Sequence, residues 1–322
     1  MQSTVAKLMA PRHIEFVEEE LPELMDGDLL CETLVSAIST GTEIAAYVGL
    51  PPLRPSAAYP RLLGYCNVSR VTDSRSDKFQ VGDRVLTFQS HRSAFVVNYT
   101  GVLLRLPDQA DARHISTSYL FHLGYNAVVR SQAQIGARVV VIGLGVIGLA
   151  CVAMASLAGC RVDAVSDHAD LSVVTAFGAN NLLRRPYSGP AAEVVLLTTN
   201  SWGDWQMALK AAGKFGTIAV LGFPGRGQPA PQQNPLPTED FYDKQLRIEA
   251  VGLSPEYNDS RGFLPRNERD NIAFIAGKIM DGTLKPDLLI SGAFPARRIE
   301  DAYKRLIDRE RGALTYVLDW PR

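Results

Sequence analysis

A β-branched run, Arg138-Val139-Val140-Val141-Ile142, leads directly into Gly143-Leu144-Gly145-Val146-Ile147-Gly148, and an Ala-rich run leaves it. Strand, glycine turn and helix in this order are what a dinucleotide site needs. Gly143 is placed to make the tight turn, and Gly145 to let the backbone approach a pyrophosphate. Gly148 is placed to let the helix pack closely on the strand. The helix start at Val146 offers unpaired N–H groups and a positive dipole end to phosphates. The plainer alternative is a packing turn with no ligand. The flanking strand and helix argue against it.

The pattern on either side of this motif differs. Residues 13–21, 29–37, 83–88 and 94–98 are short apolar or alternating runs separated by Pro, Gly and Asp, and read as strands. From about 125 to 253 strands and helices alternate. Strands are expected at 139–142, 162–166, 193–197, 217–221 and 246–251, with helices at 171–177 and 205–212. That alternation means βαβ units and a parallel sheet. Residues 225–237, rich in Pro, Gln and Gly, read as a connecting loop. Beyond about 255, helices at 267–280 and 299–307 precede a closing strand at 314–318.

The 322 residues suffice for two domains, and 46% hydrophobic content can fill their cores. A net charge of −1 with no basic run excludes nucleic acid and anionic membranes as expected partners. Residues 1–11 lack a secretory apolar segment, and no apolar stretch spans a bilayer, so a cytoplasmic protein is expected. Cys31, Cys66, Cys151 and Cys160 form no Cys-x-x-Cys pair and read as reduced, packed thiols.

Several short motifs, in their order, make the chain resemble the medium-chain dehydrogenase/reductase superfamily. Ile38-Ser39-Thr40-Gly41-Thr42-Glu43 is similar to that family's Gly-Thr-Asp turn, and Leu63-Gly64-Tyr65-Cys66 to its Leu-Gly-His-Glu. Gly82-Asp83-Arg84-Val85, the glycine loop and Lys244-Gln245-Leu246 follow in register. The resemblance implies an α/β fold, a Rossmann-type doubly wound parallel sheet inserted in a GroES-like, β-barrel-type catalytic domain. The catalytic domain would take residues 1–124 and 255–322, and the nucleotide-binding domain 125–254. Homodimers formed by pairing nucleotide-domain edges are common among such relatives.

Many of these relatives hold a catalytic zinc. Their ligand positions correspond here to Thr40, Tyr65 and Tyr119. Zinc takes thiolate, imidazole or carboxylate, so no metal is expected, and one thiol at Cys66 does not rebuild the site. The four closely spaced cysteines of a structural zinc lobe are also missing. Tyr65 and Tyr119 either donate hydrogen bonds to an oxyanion or fill space as aromatics. Thr42 matches the hydroxyl that relays the substrate proton in the relatives, or else caps a turn. His122 ranks ahead of His91 as a general acid or base, each with a structural alternative. Glu43 either orients a neighbour or, as is more common at this position in the relatives, is a structural hydrogen-bonding group.

For the coenzyme, an acidic residue ending the second strand favours NAD. Ser166 holds that position, with Asp167 next. Serine there is common in relatives that use NADP. No Arg or Lys lies between residues 162 and 183, and Asp167 and Asp170 would repel a 2′-phosphate, so NAD is favoured over NADP. Arg184 and Arg185 reverse that preference if they fold back. Thr198, Thr199 and Asn200 after the fourth strand, and Gly222 and Phe223 after the fifth, are expected to face the coenzyme, or are ordinary connecting loops.

The resemblance thus implies a zinc-independent oxidoreductase that moves a hydride between nicotinamide and a small alcohol or ketone, nearer the polyol and threonine dehydrogenases than the quinone reductases. Reduction of an enone or quinone is the alternative. A non-catalytic NAD(P)-binding sensor or structural protein is the alternative of another class.

Overall fold

Short antiparallel strands dominate the first third of the chain, as its brief apolar runs and turn residues require. They are β1 (Gln2–Ala10), β2 (His13–Glu20) and β3 (Asp28–Ala37), then helix α1 (Thr40–Tyr47), then β4 (Arg61–Leu62), β5 (Cys66–Ser74), β6 (Arg84–Thr87), β7 (Ala94–Asn98) and β8 (Val102–Leu106). Helices α2 (Ala112–Ser116) and α3 (Ser118–Ser131) follow. β1 pairs with β2 and β4, and β3 pairs with both β5 and β7. The computed structural model describes residues 1–53, 59–252, 267–310 and 312–320.

The middle of the chain is a six-stranded parallel sheet. Its elements are β9 (Arg138–Ile142), α4 (Val146–Leu157), β10 (Arg161–Val165), α5 (Leu171–Ala176), β11 (Asn181–Leu183), β12 (Ala192–Leu197), α6 (Trp202–Ala211), β13 (Ala212–Val220) and β14 (Arg247–Ala250). The strand order β11-β10-β9-β12-β13-β14 reverses between β9 and β12, the switch point at which such sheets bind ligands beyond their carboxyl ends. Residues 139–142 and 194–197 are buried on both faces, which is why they read as continuous apolar runs; in 162–165 the buried Asp163 interrupts the run and is paired with Arg138.

The chain closes with α7 (Glu268–Met280), β15 (Ile290–Pro295), α8 (Ile299–Ile307) and β16 (Thr315–Asp319). β16 lies antiparallel on β3 and parallel to β15, completing a seven-stranded sheet with the N-terminal strands. Ile38, Tyr47, Leu63, Phe294, Tyr303 and Trp320 share one core there, so C-terminal residues finish what the N-terminal strands begin. Two compact units result, residues 1–119 with 272–322, and residues 120–271.

Several local expectations differ from the structure, and strands β1, β5, β8 and β15 were not foreseen. The segment beginning at Thr40 is a helix rather than a turn. β11 was not foreseen, since three half-exposed residues carry no pattern. The helix expected to reach 212 stops at Ala211, because Ala212 pairs in register with Ala192. The boundary expected at 254/255 lies outside the described residues. Among those residues no helix is long and apolar enough to cross a membrane.

Candidate functional site

In the parallel-sheet unit the three loop glycines each meet a distinct steric demand. Gly143 has φ +90°, a conformation that suits glycine. A Cβ on Gly148 would sit 1.9 Å from the Gly143 carbonyl oxygen, so α4 packs on the loop only without one. Around Gly145 nothing lies within 4 Å of such a Cβ, and the residue is exposed. Gly145 is the N-cap of α4 and has no side chain to satisfy the first N–H groups, including those of the turn begun by Val146.

The turn after β12 packs against this loop. Thr198 Oγ1 donates toward the carbonyls of Ile142 and Gly143, at 3.1 and 3.0 Å. Thr199 Oγ1 is buried with no hydrogen-bond partner among the described residues. A buried hydroxyl left so is costly unless a ligand or water meets it. Asn200 ties this turn to the one after β13: its Oδ1 accepts from Phe223 N and its carbonyl from Gly225 N, both at 2.7 Å. Gly222 allows the approach, since a Cβ there would lie 2.1 Å from Thr199 O. The Arg226 guanidinium stands 4.7 Å over the half-exposed Phe223 ring. The 225–237 segment is a connector held on α6, where Trp202 and Trp205 donate to the carbonyls of Pro229 and Pro235.

At the end of β10, Ser166 is buried and its Oγ accepts from the N–H groups of His168 and Ala169, each at 3.2 Å. Both arginines left open by the sequence do fold back here. Arg184 Nη1 donates to the Ser166 carbonyl at 3.2 Å. Arg185 donates its backbone N–H to one Asp167 oxygen and Nη1 to the other, at 3.0 and 3.1 Å. The backbone bond from Arg185 is the main cause holding the Asp167 carboxyl below its usual range.

In the other unit the residues gather around α1. Glu43, in its first turn, is buried and accepts from Ser39 N at 2.6 Å, His91 Nε2 at 2.9 Å and Tyr303 Oη at 2.5 Å. Gly64 has φ +80°, and a Cβ on it would collide with the His91 ring. Ser39 precedes the helix without capping it; its hydroxyl hydrogen-bonds Tyr65 instead. Thr42, in the first turn of α1, is exposed. Tyr65 and Tyr119 meet edge to face at 4.9 Å, and Phe88 meets Tyr119 at 4.8 Å. Burial, then the neighbouring Cys66 and Glu43, raises the Tyr65 pKa, so the phenol keeps its proton. Burial likewise pushes the Cys66 thiol well up. The Thr40 hydroxyl is committed to the Leu314 carbonyl at 2.8 Å. Among the described residues no three His, Cys, Asp or Glu side chains cluster as a metal would need.

His122, on α3, is wholly buried, and burial pushes its pKa down to about 4. Its Nδ1 is 4.0 Å from Glu268. Phe88, Ser39 and Tyr303 were not singled out from the sequence. Ser39 stood inside a quoted motif, whereas Tyr303 lies 260 positions from Glu43 and carries no local signal.

No family model matches the chain. It is 25% identical over 310 residues to an uncharacterized zinc-type alcohol dehydrogenase-like protein of Haemophilus influenzae, covering 81% of this chain and 86% of the relative. Over 86 residues it is 37% identical to the 2-desacetyl-2-hydroxyethyl bacteriochlorophyllide A dehydrogenase of Cereibacter sphaeroides, 26% of this chain and 27% of that one. A crystal structure of an Escherichia coli oxidoreductase/dehydrogenase of unknown specificity superposes with a TM-score of 0.82 over the full length of both chains, at 16% identity. That likeness establishes the fold: a Rossmann-type sheet inserted in a GroES-like domain.

Proposed function

We infer that this member of the medium-chain dehydrogenase/reductase superfamily, an NAD(P)-dependent oxidoreductase, interconverts a small-molecule alcohol and ketone without zinc. The observation that carries the coenzyme half is the glycine loop, with open space over Gly145, uncapped N–H groups on α4 and the Thr199 hydroxyl, which has no partner among the described residues. These are donors without acceptors, set where a pyrophosphate and its neighbours would be received. Bound there, a nicotinamide coenzyme would supply the hydride donor or acceptor. Asn200, Gly222 and Phe223 keep the two neighbouring turns in place, and Ser166 and Asp167 address the adenosine end.

The zinc-type name of the Haemophilus influenzae relative does not carry over in this reading. Thr40, Tyr65 and Tyr119 are not zinc's donors, the Thr40 hydroxyl is committed to a carbonyl, and Cys66 holds its proton. The work of stabilising charge on the substrate oxygen passes to Tyr65. Its protonated phenol donates a hydrogen bond and yields the proton to an alkoxide, a stronger base than a phenolate. In this reading the proton lost from Tyr65 is replaced from solvent, relayed by the exposed Thr42 hydroxyl and by Ser39, which is bonded to Tyr65. Tyr119 and Phe88 hold its ring in one orientation. His122, neutral and buried, has a structural role in this reading. The Cereibacter sphaeroides relative, named for a hydroxyethyl substrate, supports an alcohol as the reacting group. Catalytic residues 1–124 and 255–322 and nucleotide-binding residues 125–254 divide the labour, and two copies pair along the sheet edge at β14.

The test follows coenzyme absorbance while secondary alcohols and ketones are compared with enones and quinones, before and after chelation, with elemental analysis of the same sample. Turnover of an alcohol–ketone pair, unchanged by chelator and with zinc far below one per chain, is expected. Turnover confined to enones or quinones makes it a double-bond reductase. Coenzyme binding without any turnover makes it a sensor. Stoichiometric zinc whose removal abolishes activity overturns the Tyr65 assignment.

A further inference from the structure

We propose that the coenzyme of this chain is NADP(H), selected by a 2′-phosphate site made of Arg184 and the Ser166 hydroxyl. The proposal rests on the coenzyme reading above. A residue at the end of the second strand of such a sheet decides the matter, a carboxylate there accepting from the ribose 2′-hydroxyl. This chain has Ser166. Its oxygen already accepts from the N–H groups of His168 and Ala169, which fixes the oxygen and leaves the hydroxyl hydrogen to donate outward.

The cation arrives from the adjacent strand. β10 and β11 pair in parallel with Val165 opposite Leu183, so the next residue on each side, Ser166 and Arg184, come together. Arg184 is exposed and uses one N–H on the Ser166 carbonyl. It makes no other hydrogen bond or ion pair among the described residues. A guanidinium carries five donors in a planar fork, so most of this one faces outward, suited to a phosphate.

The carboxylate that would repel a phosphate is already held. Both Asp167 oxygens accept from Arg185, and the Arg185 fork is bidentate on Asp204, at 2.8 and 3.1 Å. Asp170 is turned to capping α5 through Ser172 N. The ground for NAD, two acidic residues with no nearby base, therefore weakens once strand pairing supplies Arg184.

Dissociation constants for NADPH, NADH, 2′,5′-ADP and 5′-AMP, measured by calorimetry on wild type, Arg184→Gln and Ser166→Asp, test this without any substrate. Wild type is expected to bind NADPH at least tenfold more tightly than NADH, and 2′,5′-ADP more tightly than 5′-AMP. Arg184→Gln should lose the preference while keeping its affinity for NADH, and Ser166→Asp should invert it. Unchanged melting temperatures establish that both variants fold. Tighter NADH binding by wild type, or an equal loss for both coenzymes in Arg184→Gln, overturns the proposal. Binding of neither coenzyme overturns the coenzyme reading itself, and the proposal with it.

Discussion

The His91 ring meets the Glu43 carboxylate at 2.9 Å with neither side chain open to solvent. Trp320 Nε1 donates to Ser36 Oγ, which lies 2.8 Å from His91 Nδ1, while Tyr303 donates to the same Glu43 oxygen as His91. One carboxylate thus joins β3, α1, the segment at His91, α8 and the C-terminal end of the unit. Removing it strands three buried donors. Glu43→Ala is expected to cost about 3 kcal/mol or more, and Tyr303→Phe about 1.5 to 3 kcal/mol. Shifts in urea midpoint at constant slope measure both; values near zero would show that the network does not hold the unit together.

The loop glycines separate binding from folding. Gly145 has ordinary φ and open space, so Gly145→Ala should leave the melting temperature unchanged while weakening coenzyme binding at least tenfold. Gly148→Ala forces a Cβ against the Gly143 carbonyl, so it should lower both stability and binding. Calorimetric binding beside thermal melts distinguishes the two. A Gly145→Ala protein with wild-type affinity would mean that nothing approaches that backbone.

Much of this fold is written locally. The loop at 143–148 and the buried strands declare themselves because a parallel strand covered on both faces must be apolar throughout. Helix α1 was hidden because Thr40-Gly41-Thr42 has poor helix propensity; the Glu43 bond to Ser39 N and packing under α8 hold it. Site chemistry was less legible. Tyr65 and Tyr119 came from resemblance, and only tertiary structure adds Phe88 to their cluster. Arg184 reaches Ser166 by strand register across 18 positions, and register leaves no mark on either residue.

His122 gives the protein an acid limb. Its folded pKa of about 4 lies below the ordinary 6.5, because burial desolvates the ring. Between those values the unfolded chain binds a proton that the folded chain refuses. Stability from this group is therefore complete above about pH 6.5 and is lost as pH falls toward 4, by about 3 kcal/mol over the whole window. Urea midpoints at about pH 7 and pH 4.5 should differ less in His122→Gln than in wild type. Equal acid losses in the two proteins would mean that the ring titrates normally.

Tyr65→Phe isolates the proposed proton donor. The substitution keeps the ring against Tyr119 and removes the hydroxyl that bonds Ser39. Substrate contacts made by other groups persist, so KM should change little. The oxyanion loses its donor, so kcat should fall roughly a hundredfold to a thousandfold. Because the phenol pKa is raised by burial, wild-type kcat for ketone reduction should show no ionisation from Tyr65 across neutral pH. A Tyr65→Phe enzyme with wild-type kcat and an unchanged pH profile would move the proton donor elsewhere and leave Tyr65 as packing for Tyr119.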